Sequence, residues 1–320
     1  MRCAIMSDVH SNPAALKVAI DDARSRGCKR LLMLGDTTGY GYDDIGREKL
    51  EEIFADLFGA EKAYVRMQIS SGTQAISSIL YGVLRPGDKM LSVTGRPYDT
   101  LLQTIGIGEG IEYDATLKDY GISYDEVDLL PDGTPDLEAI EKKLDKTVKM
   151  VFLQKSRGYS ARRALLTDDI EKVVKVVRKW SEENKHDIVI AVDNCYGEFT
   201  ETREPCSVGV DICGGSLIKN PGGGLCPTGG YIAGREDLVE KVAQRITAPG
   251  LGSHVGPTLG FNQTLARGLF TAPAVVSECL KSAIFAAQIF EMSGYAVSPK
   301  ADEARGDIVQ TITFNDGPKM

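Results

Sequence analysis

The stretch that decides the fold reads IAVDNCYGEF (190–199), then a polar connection, then GGSLIKNPGGGLCPTGGYIAG (214–234). The apolar run 188–192 ends in Asp193, the pattern of a buried parallel strand that delivers a carboxylate at its C-terminal edge. A second short apolar stretch delivers Lys219 between Ser216 and a run of glycines, with no acid beside it in the sequence. Lysine amines form Schiff bases with carbonyl cofactors, and pyridoxal phosphate also needs a carboxylate to keep its ring nitrogen protonated. Asp193 and Lys219 suit those two needs.

Outward from this stretch the chain alternates. Strands are expected over 63–69, 89–93, 122–127, 148–154 and 229–233, and helices over 43–61, 136–144, 167–184 and 235–246, with a further helix opening at the SSGT turn (70–73). In the helix over 43–61 the apolar positions Leu50, Ile53, Phe54, Leu57 and Phe58 recur at helical spacing. Such alternation implies an α/β fold with a mostly parallel sheet covered by helices on both faces, and sites in such sheets lie beyond the carboxyl ends of the strands. Gly72, Tyr98, Gln154, Asp193 and Lys219 all fall near expected strand ends. The SSGT turn has the form of a phosphate-binding helix start, with hydroxyls from Ser70, Ser71 and Thr73, although Ser-Gly-Thr is also an ordinary N-cap. A long helix over 273–293 and a strand over 308–314 follow a Gly/Pro-rich loop that carries His254.

Composition narrows the function classes. With 320 residues, 42% of them hydrophobic, and a net charge of −8, the chain has the make-up of a packed soluble protein and lacks the clustered basic residues of a nucleic-acid surface. No uninterrupted apolar run is long enough to span a membrane, and the N-terminus lacks the form of a signal peptide, so a cytoplasmic location is expected. The seven cysteines show no C-x-x-C pairing and read as reduced thiols, with packing roles for Cys195 and Cys213.

The first forty residues follow another pattern. A βαβ unit places SDVHSN and LGD at its two strand ends, so Asp8, His10 and Asp36 stand where two-metal phosphoesterases begin their metal site. This segment resembles the start of a calcineurin-like metallophosphoesterase. A metal-dependent phosphoesterase acting through those three residues is therefore the alternative function, and a non-catalytic fusion product is a third.

From about Tyr40 onward the motifs GYGYDDIGR, SSGTQAI, TGRPYD, QKSRGYS, VDNCYGEF and SLIKNPGGG resemble the fold-type I pyridoxal phosphate enzymes of cysteine and methionine metabolism, in the methionine gamma-lyase-like or aluminium resistance branch. The gaps 98 − 72 = 26 and 219 − 193 = 26 fit the family's spacing from phosphate turn to stacking tyrosine and from aspartate to lysine. The resemblance implies a carbon–sulfur lyase acting on a sulfur amino acid by β- or γ-elimination. It gives Lys219 the Schiff-base and proton-transfer role and Asp193 the ring nitrogen. Tyr98 would stack on the ring and act as acid or base, and Ser71, Gly72, Thr73 and Ser216 would hold the phosphate. Tyr42 and Arg47 match positions that reach the phosphate of a neighbouring subunit, which implies a homodimer or homotetramer with shared active sites. The expected division is a phosphoesterase-like segment at 1–40, a cofactor-binding domain at 41–272, and a bridging helix with the start of a shortened C-terminal domain at 273–320. The arginine that would bind the substrate carboxylate is not assignable. Arg157 and Arg163 could attract a carboxylate, but arginines near a loop are more commonly solvated, which is the expectation for both.

Overall fold

The computed structural model describes residues 3–6, 13–33, 41, 44–111 and 114–314. At its start β1 (Cys3–Met6), α1 (Pro13–Ser25) and β2 (Arg30–Met33) form the expected βαβ unit, its two strands paired in parallel. The elements that follow are α2 (Ile45–Phe58), β3 (Lys62–Arg66), α3 (Gly72–Val83), β4 (Lys89–Ser92), α4 (Asp99–Ile105), β5 (Ser123–Glu126), α5 (Leu137–Lys143), β6 (Val148–Gln154), α6 (Thr167–Asn184), β7 (Val189–Asp193), β8 (Ile212–Ser216), β9 (Gly230–Gly234), α7 (Glu236–Ile246) and α8 (Asn262–Met292). A small antiparallel pair, β10 (Ala296–Ser298) and β11 (Thr311–Thr313), completes the described chain.

Strands β3 to β9 make one seven-stranded sheet in the order β3-β9-β8-β7-β6-β4-β5. Every pairing is parallel except those of β9 with β3 and β8, so the sheet is mostly parallel, as expected. The apolar strand runs follow from burial on both faces. On one face Val151, Leu153, Ile190 and Val192 pack under α2, α5, α6 and α8, while Met150, Phe152, Val189 and Ala191 pack under α3, α4 and α7. Successive residues point to opposite faces of a strand, so each of the two cores draws on alternate positions.

Local chemistry sets the helix ends near the site. Asp44 caps α2 by accepting the Arg47 N–H (3.0 Å), and Gly59 closes it with φ 65°. Ser71 caps α3 by accepting the Gln74 N–H (3.0 Å). On α2, Leu50, Phe54 and Phe58 are buried, but Ile53 and Leu57 stand 49% exposed. Helical spacing therefore overstates how much of this apolar stripe the protomer covers.

Two other expectations change. Helix α8 begins eleven residues before Pro273, which lies inside it, and the boundary expected at 272 falls within the helix. Proline is a common first residue of a helix, but here burial of Leu265, Leu269, Ala272 and Val276 along one side carries the helix through it. The last strand spans Thr311–Thr313, not 308–314, because its length is set by the three-residue partner β10.

Candidate active site

Three strands in register bring the site together. Gln154 of β6 lies level with Asp193 of β7, which lies level with Gly214 of β8, so the three occupy one row at the carboxyl edge of the sheet. Ser216 ends β8, and Lys219 follows within the next turn. Gln154 accepts the Tyr98 N–H on its Oε1 (3.1 Å), fixing the start of α4, and the Tyr98 hydroxyl reaches Thr73 Oγ1 (3.3 Å). A cavity of about 340 Å³ results. Ser71, Gly72, Thr73, Tyr98, Asp193, Ser216 and Lys219 all line it, seven of the nine residues expected at a cofactor site.

Gly72 is at the first turn of α3 for a steric reason. A Cβ there would come to 2.8 Å from Cys195 Sγ and 3.9 Å from Lys219 Nζ, filling the space in front of the helix N-terminus. Across the cavity Asp193 is buried, and its Oδ1 accepts the Cys195 N–H (3.0 Å). Burial pushes its carboxyl above the usual range, with the Cys195 hydrogen bonds, Lys219 and Arg162 opposing. Burial likewise pushes the Tyr98 hydroxyl well up, helped by Asp193, so it stays protonated at ordinary pH. Burial of Lys219 works against its charge, yet Cys195, Tyr196 and Asp193 outweigh it and leave the amine above its ordinary value.

Arg47 is absent from the cavity lining. It is 2% exposed and its guanidinium bonds the backbone carbonyls of Gly256 (3.1 Å) and His254 (3.4 Å). Tyr42 lies outside the described residues, as do Asp8, His10 and Asp36 of the alternative metal site. Among the described residues no group of three or more His, Cys, Asp or Glu could hold a metal ion. Arg157 is not solvated as expected, whereas Arg163 stays partly exposed. Arg157 is 2% exposed, its guanidinium bonded to Ser298 Oγ (2.7 Å) and its backbone N–H to Asp307 Oδ2 (2.9 Å), and Arg163 pairs with Asp169 (2.7 Å).

The structure adds residues to the cavity wall that sequence reading did not place there. Ser156 lines it and donates to Asp307 Oδ2 (2.7 Å). Cys195, expected only to pack, also lines it, as does Tyr196, whose ring centroid lies 3.8 Å from Lys219 Nζ. The VDNCYGEF motif was the signal available for both.

Comparison with known proteins adds to this geometry. A family model described as methionine gamma-lyase matches residues 25–320. The uncharacterized protein YnbB of Bacillus subtilis is 47% identical over 284 residues, covering 89% of this chain and 66% of that protein. The crystal structure of a carbon-sulfur lyase involved in aluminum resistance from Clostridium novyi NT superposes with a TM-score of 0.83 at 49% identity, over 88% of this chain and 66% of that one. L-methionine gamma-lyase of Pseudomonas putida is 27% identical over 242 residues, 74% of this chain and 53% of that enzyme. The chain thus spans about two thirds of the length of the first two of these relatives.

Proposed function

The chain belongs to the methionine gamma-lyase family, and from that premise we propose that it is a pyridoxal-phosphate-dependent carbon–sulfur lyase of the cytoplasm, acting on a sulfur amino acid and assembling from at least two copies. One observation carries the reading. A buried carboxylate on β7 and an amine just past β8 open into the same cavity, whose far wall is a helix start cleared of side chain by Gly72.

The residues fit the cofactor. The α3 N-terminus offers backbone N–H groups and the hydroxyls of Ser71 and Thr73 to a phosphate, with Ser216 across from them. A buried carboxylate is costly without a cation beside it, and Asp193 would meet the protonated ring nitrogen. When bound, pyridoxal phosphate supplies an electron sink for the pair of electrons left at the substrate's α carbon.

The remaining work falls to the chain. Lys219 Nζ would hold the cofactor, and from its place in the cavity wall the amine could take the substrate's α proton and pass it on. The Tyr98 hydroxyl, kept protonated by burial and oriented by Thr73, can donate a proton to a departing sulfur. The Cys195 N–H holds the Asp193 carboxyl in position and opposes the effect of burial on its charge.

Mixing the purified chain with pyridoxal phosphate is expected to give a visible absorbance band that borohydride fixes to one peptide, the one containing Lys219. Lys219→Ala should lose both band and label. A wild-type chain that gives no band, or one labelled at a different lysine, rules the proposal out.

A further inference from the structure

Tyr196 has an unusual backbone. Its φ is 68°, in the left-handed region that bulky side chains rarely occupy, and such positions persist only where surrounding contacts impose them. Those contacts are present. The Tyr196 carbonyl accepts the Asn220 side-chain amide (3.0 Å) and the Ile308 N–H (3.3 Å). Asn220 is the residue next to Lys219, and its Nδ2 also donates to Glu198 O (2.9 Å). One hydrogen bond thus comes from the lysine turn and another from the C-terminal segment. Together they aim the Tyr196 ring at Lys219 Nζ, 3.8 Å from the ring centroid.

We propose that Tyr196 is a positioning residue for Lys219: its ring face is the berth that holds the ε-ammonium in place and charged whenever the amine is not covalently engaged. The inference rests on the reading of Lys219 as the reactive lysine. An ammonium lies over an aromatic face because the ring quadrupole presents negative charge there, and the attraction grows when water is partly excluded. Lys219 is half-buried, and burial favours the neutral amine, so a group in contact with the ammonium, as the Tyr196 ring is at 3.8 Å, helps to keep it charged. The other titratable groups facing it are Asp193 at the end of β7 and Cys195 just after it, with Tyr98 and Asp99 lining the α4 side of the cavity. Asp193 is engaged by the Cys195 N–H, and Cys195 is a thiol that burial keeps protonated, which leaves the ring as the group in direct contact with the ammonium. A berth of this kind has a chemical use. An amine released by substrate would return to a fixed place as a proton carrier instead of wandering across the cavity, and no new bond or redox step is required.

The test reads the amine itself, on the full chain freed of bound carbonyl compounds with hydroxylamine. Reductive methylation with formaldehyde and cyanoborohydride is followed at the Lys219 peptide by mass spectrometry as a function of pH. Tyr196→Leu, which keeps the site apolar but removes the ring, is expected to lower the pH midpoint of labelling by about one unit, raising the rate below that midpoint by up to tenfold. Tyr196→Phe keeps the ring and is expected to stay within about twofold of wild type. A graded series of fluorinated phenylalanines at position 196 preserves shape and folding while draining the ring face of negative charge, and the rate should climb with each fluorine. An unchanged midpoint in Tyr196→Leu, an equal shift in Tyr196→Phe, or a flat fluorine series overturns the proposal. Because the readout needs no cofactor, it fails or succeeds separately from the capture of pyridoxal phosphate at Lys219.

Discussion

Glu198 carries its carboxyl into the layer behind the cavity, where Tyr231 donates its hydroxyl to Oε1 (2.9 Å) and Oε2 has no hydrogen-bond partner. Asn194 stands in the same cluster, donating to Glu204 (2.9 Å), with its own Oδ1 unpartnered. Two buried acceptors without donors suit a carboxyl that holds its proton. Burial pushes Glu198 up to about 8, with Glu204 and Asp193 adding to it and the Tyr231 hydrogen bond opposing. The sign of the consequence is fixed by linkage. The unfolded side chain loses its proton near 4.5 and the folded one near 8, so between these values the native state binds the extra proton and stability falls as pH rises. Glu198→Gln removes the titration, and the amide can serve the same acceptors. From pH 5 to pH 9 the variant should therefore gain on wild type by roughly 2–4 kcal/mol, measured from urea unfolding midpoints at each pH. Parallel pH profiles for the two proteins would show that Glu198 is ionised in the fold.

At the level of elements, the turn after Lys219 is held from behind by α8. A Cβ on Gly268 would lie 2.5 Å from Gly222 O and 2.9 Å from Cys226 Sγ, so helix and turn meet backbone to backbone. Gly268→Ala should wedge them apart, at a cost of about 1–3 kcal/mol and a fall of several degrees in Tm, with faster hydrogen exchange over 217–226. Ser282→Ala, on the exposed side of the same helix, should change neither, and equal behaviour of the two variants would remove α8 from the support of the lysine turn. The same contrast explains what could be read from the residues alone. Strand β7 is legible because 188–192 is an unbroken apolar run, and β6 because a single lysine interrupts its run, whereas the Gly-Gly of β8 hides that strand; strand ends in a parallel sheet mark the site. Asp193 and Lys219 followed from that. The start of α8 was hidden because Pro273 gives a strong local start signal that tertiary packing overrides. The burial of Arg157 was hidden for another reason, since its partners Ser298 and Asp307 lie 141 and 150 residues away. The left-handed backbone of Tyr196 has no local signature, being imposed by Asn220 and Ile308.

For the whole molecule, the apolar surface left uncovered by one protomer bears on assembly. Helix α8 is long and apolar enough to cross a membrane by length and composition, and most of its surface is exposed. Phe270, Phe285 and Met292 on it are 87%, 68% and 78% exposed, and Ile53 and Leu57 of α2 are half exposed. Large apolar side chains left in water on a folded domain mark surfaces that another apolar face covers. A second copy of the chain is the partner that fits the proposed shared sites, although Arg47, 2% exposed and tied to backbone carbonyls, is not itself placed to reach a neighbouring cavity. Light scattering of the purified chain should give a mass of at least twice 34.6 kDa. Phe285→Glu combined with Met292→Glu places two charges on the exposed face of α8, where desolvation would oppose burial, and should shift the mass toward a single chain. If neighbouring subunits complete the site, the dissociated variant should also capture pyridoxal phosphate more weakly than wild type while its circular dichroism stays unchanged. A wild-type chain that is monomeric at micromolar concentration and still binds the cofactor fully would place the whole cradle within one protomer.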